Sequence, residues 1–225
     1  MSDHPAVLLV HGAWHGPWCW ERVVPLLEAE GVDVHLLDLP SMRDAPTGMI
    51  EDAAAVRSAL EEIGGPVLAV AHSYGGIPVT DGAAGAENLV GLVYFCAFML
   101  DEGQSLFATV GGVEPDWWVK SEDGLTLGVT DPTPLFYNDC DEATAAAAAA
   151  RLRPLSRLAI DQPVRAVAWR DVPSTYVICD RDGAFPVPAQ EAISQNATRV
   201  ERLDTSHSPF LSQPDAVARI ILGAL

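Results

Sequence analysis

Apolar residues along the chain fall into two alternating patterns. Short runs of aliphatic and β-branched residues, Ala6–Val10, Val32–Leu37, Val67–Val70, Leu89–Phe95, Thr175–Cys179 and Arg199–Leu203, read as strands. Between the first four lie segments such as Pro17–Glu30 and Gly48–Ile63, whose apolar positions recur every three to four residues and predict helices. Apolar strands alternating with one-sided helices predict an α/β fold, a parallel sheet of about six strands covered by helices on both faces. No longer repeat is superimposed on this rhythm.

The alternation stops between Leu100 and Pro173, a span too long for a structureless connection. It has its own aromatic residues, Phe107, Trp117, Trp118, Phe136 and Tyr137, and the run DEATAAAAAARL. Alanine is the best helix former, and Asp141 and Glu142 before the run with Arg151 and Arg153 after it complement a helix dipole. The reading is one structural domain, with a core from residues 1–99 and 174–225 and a helical cap inserted as residues 100–173.

Composition narrows the picture further. At 225 residues and 49% hydrophobic content the chain suffices for a single domain with a full core. Its 31 acidic against 13 basic residues, a net charge of −18, disfavour nucleic acid and anionic membrane surfaces as partners. No apolar run approaches the roughly 18 residues of a membrane span, and the first residues carry no basic-then-apolar signal, so the chain is expected to be soluble and cytoplasmic. Cys19, Cys96, Cys140 and Cys179 are dispersed without a C-x-x-C pair, which points to reduced thiols rather than a disulfide framework or a zinc site. No phosphate-cradling glycine motif is present, and neither a metal nor an organic cofactor is expected.

The chemistry begins at VLAVAHSYGG, Val67 to Gly76, where an apolar strand runs into small-x-Ser-x-Gly and then a helix. Such a turn presents the serine at the carboxyl end of the sheet, which makes Ser73 a candidate nucleophile; Ala71 stands where glycine is usual and Gly75 keeps the second small position. A serine needs a base and the base needs a carboxylate. Of six histidines only His207, in LDTSHSPF after the last strand, follows the serine. After the strand ending at Cys179 the text CDRDGAFP offers two acids, Asp180 and Asp182. An oxyanion would need backbone donors from the residue after the nucleophile, Tyr74, and from the loop after the first strand, LLVHGAWHGPWCW, where the amide of Ala13 is available. His11, His15 and Trp18 in that loop read as packing beneath the site; Trp14 is also a candidate for the pocket wall.

HGAWHGPWCW, LLDLP, AHSYGG, YVICDRDGAFP and DTSHSPFLSQPD together resemble the α/β-hydrolase superfamily, most closely small esterases similar to plant methylesterases and hydroxynitrile lyases and their bacterial relatives. The resemblance covers Ala6–Pro40, Val67–Phe98 and Thr175–Leu222 and leaves the cap less distinctive. It implies a triad of Ser73, Asp182 and His207, preferring Asp182 over Asp180, with the amides of Ala13 and Tyr74 as oxyanion hole. The plant lyases carry threonine where this chain has Gly12 and lysine where it has Ser208, so the resemblance implies an esterase rather than a lyase, with Gly12 leaving open room above the serine and Lys120, the only lysine, as the one substitute cation. The expected reaction is cleavage of a small neutral carboxylic ester, methyl esters included, through an acyl-enzyme, in a pocket formed by Gly12, Trp14, Trp117, Trp118 and Phe136. A lyase or cyclase using the same triad, or a receptor with slow hydrolysis, is the alternative. The partner is a small-molecule ester, with a homodimer compatible and nucleic acid and membrane excluded.

Overall fold

The computed structural model describes residues 4–43 and 46–225. Nine strands occur in chain order among them: β1 (Ala6–Val10), β2 (Val34–Leu37), β3 (Val67–His72), β4 (Leu89–Phe95), β5 (Trp118–Lys120), β6 (Thr126–Val129), β7 (Leu155–Ser156), β8 (Ser174–Cys179) and β9 (Arg199–Leu203). Six of them form one sheet in the order β2-β1-β3-β4-β8-β9, with every pairing parallel. The order reverses beside β1 and β3, the place where open parallel sheets leave a crevice at their carboxyl ends.

Strands β1, β3 and β8 are buried at every position, which is why they read as unbroken apolar runs. The edge strands β2 and β9 are half exposed. Among the helices, Met49–Ile63 shows its local logic most fully. The Glu51 carboxylate accepts the Gly48 N–H at 2.8 Å, Met49, Asp52, Ala53, Val56 and Leu60 make its buried stripe, and Gly64 ends it at φ +70°. The segment Pro17–Glu30 is not one helix. It is a 3₁₀ turn, Pro17–Trp20, followed by the helix Val24–Ala29, because Pro25 has no N–H to give and fits only in a first turn.

The cap departs from a purely helical reading. Between β4 and β8 it has short helices, Glu142–Ala149 among them, but also an antiparallel sheet in which β6 pairs Leu127 with Lys120 of β5 and with Leu155 of β7. A turn held by Asp123, whose carboxylate accepts from the Ser121 hydroxyl at 2.7 Å and the Leu125 N–H at 3.0 Å, joins β5 to β6. Strands of two to four residues are shorter than the alternation that would reveal them in sequence. In the alanine-rich helix Asp141 caps the N-terminus by accepting the Thr144 N–H at 2.9 Å. Arg151 and Arg153 lie beyond its end and turn to Glu21 and Asp38 of the core instead of its last carbonyls. Cap residues Leu127, Phe136, Ala145 and Ile160 belong to the same continuous apolar core as the main sheet. No helix among the described residues is long and apolar enough to cross a membrane.

Candidate active site

The chain leaves β3 at His72 and turns at once, so Ser73 adopts φ +51°, a left-handed conformation that a side-chain-bearing residue holds only when its surroundings impose it. Close packing imposes it here. A Cβ at Gly75 would lie 2.5 Å from the His11 carbonyl oxygen, so β1 and the turn fit only with glycine there. Ser73 O accepts the Phe98 N–H at 3.0 Å, which ties the turn to the end of β4.

His207 comes from the loop after β9, between Leu203 and the short helix Pro209–Ser212. Its Nε2 lies 2.9 Å from Ser73 Oγ and its Nδ1 lies 2.7 Å from Asp182 Oδ2. Because a carboxylate only accepts, Nδ1–H donates to Asp182, and Nε2 is the acceptor facing the serine hydroxyl. Asp182 is itself held: Oδ1 accepts the N–H groups of Ala184 and Phe185, both at 2.8 Å, and Oδ2 also accepts from Gln190 Nε2 at 3.0 Å. Asp180 points elsewhere, to the guanidinium of Arg202 at 2.5 Å on the surface. Of the two acids left open by the strand-end text, the main chain brings Asp182 to the histidine and turns Asp180 away.

Beneath this chain of hydrogen bonds lies a second histidine that sequence reasoning passed over. His72 Nε2 donates to the His207 carbonyl oxygen at 2.8 Å, and its ring centroid is 4.7 Å from that of His207. Burial drives its pKa well below the usual value, so it is a neutral support for the His207 loop. Asp52 was also missed. It accepts from the Tyr74 hydroxyl and the Ser41 hydroxyl, both at 2.6 Å, and so anchors the residue that follows Ser73; burial raises its carboxyl pKa against these bonds. Neither carried a signal in the text, since a histidine before an elbow and an acid in a helix are ordinary.

Ser73 and His207 open onto a cavity walled by Trp14, Trp117, Trp118, Phe136, Phe98 and Phe185, with Ala13 and Tyr74 at the serine. Trp14 stacks on Phe136 at 5.8 Å between centroids and meets Trp117 edge-on at 5.5 Å. Trp117 and Trp118 both reach the cavity, because Trp117 precedes β5 and so escapes the strand's alternation. Phe98 and Phe185, stacked at 4.3 Å, are wall residues that the sequence reading did not name.

A sequence model of the Alpha/beta hydrolase family matches residues 7–220. The chain belongs to that family. This α/β hydrolase is 30% identical over 243 residues to the Alpha/beta hydrolase nvfD of Aspergillus novofumigatus, covering 98% of this chain and 96% of that protein. It is 26% identical over 248 residues to Methylesterase 2 of Arabidopsis thaliana, covering 96% and 94%. Its fold is that of the pyrethroid hydrolase of Sphingobium faniae JZ-2, with a TM-score of 0.84 at 23% identity over 97% of this chain and 96% of that one.

Two expectations about this hydrolase change with the geometry. Gly12 does not wall the cavity and leaves no open room: a Cβ there would lie 2.6 Å from His72 Nδ1 and 2.7 Å from Ser73 Cβ, so glycine serves to let the loop pack against the elbow. Lys120 is not a cation for the site. Its side chain is 54% exposed and pairs with Glu114 at 2.8 Å. Among the described residues one group has metal-like spacing, His72, Cys96 and His207, with ligating atoms within 4.8 Å. His207 has both ring nitrogens engaged, and burial pushes the Cys96 thiol well above its usual pKa, away from the thiolate that binds metal. The group packs the histidine loop.

Proposed function

We propose that this chain is a serine esterase that cleaves small, uncharged carboxylic esters through an acyl-enzyme. The observation that carries the reading is the unbroken run from Ser73 Oγ through His207 to a fully buried Asp182, opening into an aromatic cavity. In it, His207 Nε2 takes the Ser73 proton as the oxygen attacks the ester carbon, and Asp182 holds the imidazole and stabilises its cation. The Ala13 and Tyr74 amides receive the carbonyl oxygen as it becomes an anion. The alcohol leaves with the proton from His207, and water activated by the same histidine releases the acid. Among the described residues the cavity lining has no acidic or basic side chain besides His207, while aromatic rings do line it, which favours neutral esters with apolar or aromatic groups. Likeness to a protein named Methylesterase 2 supports methyl esters as the first substrates to try.

Labelling with a fluorophosphonate, read by intact-protein and peptide mass spectrometry, is expected to give one adduct on Ser73 and none in Ser73→Ala. The same protein is expected to hydrolyse p-nitrophenyl acetate and aromatic methyl esters and to release no cyanide from mandelonitrile, since among the described residues no lysine or arginine lines the cavity where a departing cyanide would need a cation. An adduct elsewhere, or Ser73-dependent cyanide release exceeding ester turnover, overturns the reading.

A further inference from the structure

The loop that carries the Ala13 amide is held from the cap, and the holding residue is Arg153. Each carbonyl of residues 12–15 is engaged. Gly12 O accepts from His11 Nδ1 at 2.9 Å, and Ala13 O from His15 Nδ1 at 2.8 Å. Trp14 O accepts the Arg153 backbone N–H at 2.8 Å, and His15 O accepts from Arg153 Nη2 at 3.0 Å. The same guanidinium makes a two-pronged contact with Asp38, Nη2 to Oδ1 at 2.5 Å and Nη1 to Oδ2 at 3.1 Å, and Asp38 in turn lies 3.2 Å from His11 Nε2. The planar fork of arginine meets a carboxylate and a carbonyl at once, which a lysine ammonium does not reproduce.

Two further features fit this arrangement. A Cβ at Gly16 would lie 2.8 Å from Arg153 Nη2, so the second glycine of HGAWHG leaves the place that the guanidinium fills. Trp14, next to Ala13, stands at φ +62° and is pinned at both ends by the cap, its carbonyl by Arg153 and its indole N–H by Leu127 O at 2.9 Å. A side-chain-bearing residue in this region of backbone space is strained and relaxes unless neighbours hold it.

We propose that Arg153 is a positioning residue for ester hydrolysis, fixing from the cap the direction of the Ala13 N–H toward the developing oxyanion; this rests on the reading of Ala13 as an oxyanion donor. The anion of the tetrahedral intermediate demands more of that donor than the ester carbonyl does, so misdirection raises the barrier and leaves ground-state binding in place. Removing an oxyanion donor outright costs about 10²–10³ in kcat. Loss of the Arg153 side chain keeps its backbone bond to Trp14 O, so a smaller effect, about 10- to 30-fold, is expected.

The test compares wild type with Arg153→Lys and Arg153→Gln, each checked for an unchanged thermal midpoint. The probe is an aryl trifluoromethyl ketone, to whose carbonyl carbon Ser73 Oγ adds while its proton passes to His207 and the ketone oxygen becomes the oxyanion. In both variants kcat is expected to fall by about 10- to 30-fold with KM within about twofold, and the trifluoromethyl ketone Ki to rise by the same factor. The Ki of the product alcohol is expected to stay put, and millimolar guanidinium to restore part of kcat in Arg153→Ala. If the Arg153 variants do not fold, Gly16→Ala, which retains the arginine and occupies the place of its guanidinium, is expected to show the same split. Unchanged kcat and ketone affinity in folded variants, or equal weakening of alcohol and ketone, overturns the role of Arg153. Failure of wild-type protein to form the Ser73 fluorophosphonate adduct overturns the esterase reading instead.

Discussion

At the scale of single residues, the sharpest discrimination lies between two aspartates two positions apart. Asp182 is fully buried, receives the His207 Nδ1–H and is held by Ala184, Phe185 and Gln190, whereas Asp180 is paired with Arg202 at the surface. Asp182→Asn offers the imidazole a different partner and frees it to adopt the other tautomer, so kcat is expected to drop by a factor on the order of 10⁴. Asp180→Asn removes only an exposed ion pair, of the kind worth about 0–1 kcal/mol, and kcat is expected to change by less than about twofold. Steady-state kinetics on one ester with both variants decides it, and the opposite ranking would remove Asp182 from the mechanism. The residues by themselves left this choice open; family resemblance favoured Asp182, and the turn after β8, where Asp182 N–H bonds to Cys179 O at 3.2 Å, supplies the physical cause.

Among the elements, the cap sheet is the part that shapes the cavity. Trp118 opens β5 and Trp117 precedes it, and both rings pack on Trp14, at 6.2 and 5.5 Å between centroids. Each presents a large apolar face to the cavity. Trp117→Ala and Trp118→Ala are each expected to raise KM for esters with bulky aromatic groups by about tenfold, the equivalent of about 1.4 kcal/mol of lost contact, and to leave KM for acetate esters within about twofold. A panel of p-nitrophenyl esters graded by acyl size reads this directly; identical size ranking in wild type and both variants would place the substrate elsewhere. The aromatic content of the cap was legible in the sequence. Its sheet was not, because pairings such as Thr126 with Ser156 join residues whose strands have two to four positions each.

For the whole molecule, the buried histidines set how stability responds to acid. Burial lowers the pKa of His15 to about 3, and its neutral ring donates from Nδ1 to Ala13 O while Nε2 accepts from the Tyr137 hydroxyl at 3.0 Å. His72 is lowered by burial first and then by repulsion from His207 and His15. In the unfolded chain both take up a proton below about pH 6.5, and in the folded protein they resist doing so. Because the unfolded state then binds more protons, the stability these residues contribute is complete above pH 6.5 and is lost as pH falls, at about 1.4 kcal/mol per pH unit for each. Asp52, whose carboxyl is raised by burial, acts in the opposite sense with one proton against two. The urea midpoint is therefore expected to be flat from pH 8 to 7 and to decline between about pH 6.5 and 5, with a shallower decline in His72→Gln. A midpoint constant down to pH 5 would show that these rings are not held neutral.

What the sequence determined by itself was whatever short-range pattern encodes. Buried parallel strands must be apolar on both faces and their helices on one, so the six strands of the main sheet, the helix Met49–Ile63 and the elbow at Ser73 were readable from neighbours in the chain. The single histidine after the serine made His207 readable by order alone. Tertiary structure decided everything that depends on groups distant in sequence. It joined His207 to Ser73 across 134 positions and Arg153 to the loop of His15 across 138. It turned Arg151 and Arg153 from a helix end to the core, made Gly12 a point of close packing, and placed Lys120 outside the site. A side chain's partner is chosen by which backbones pack side by side, and that is set by the burial of the whole core at once, a quantity no local window of residues contains.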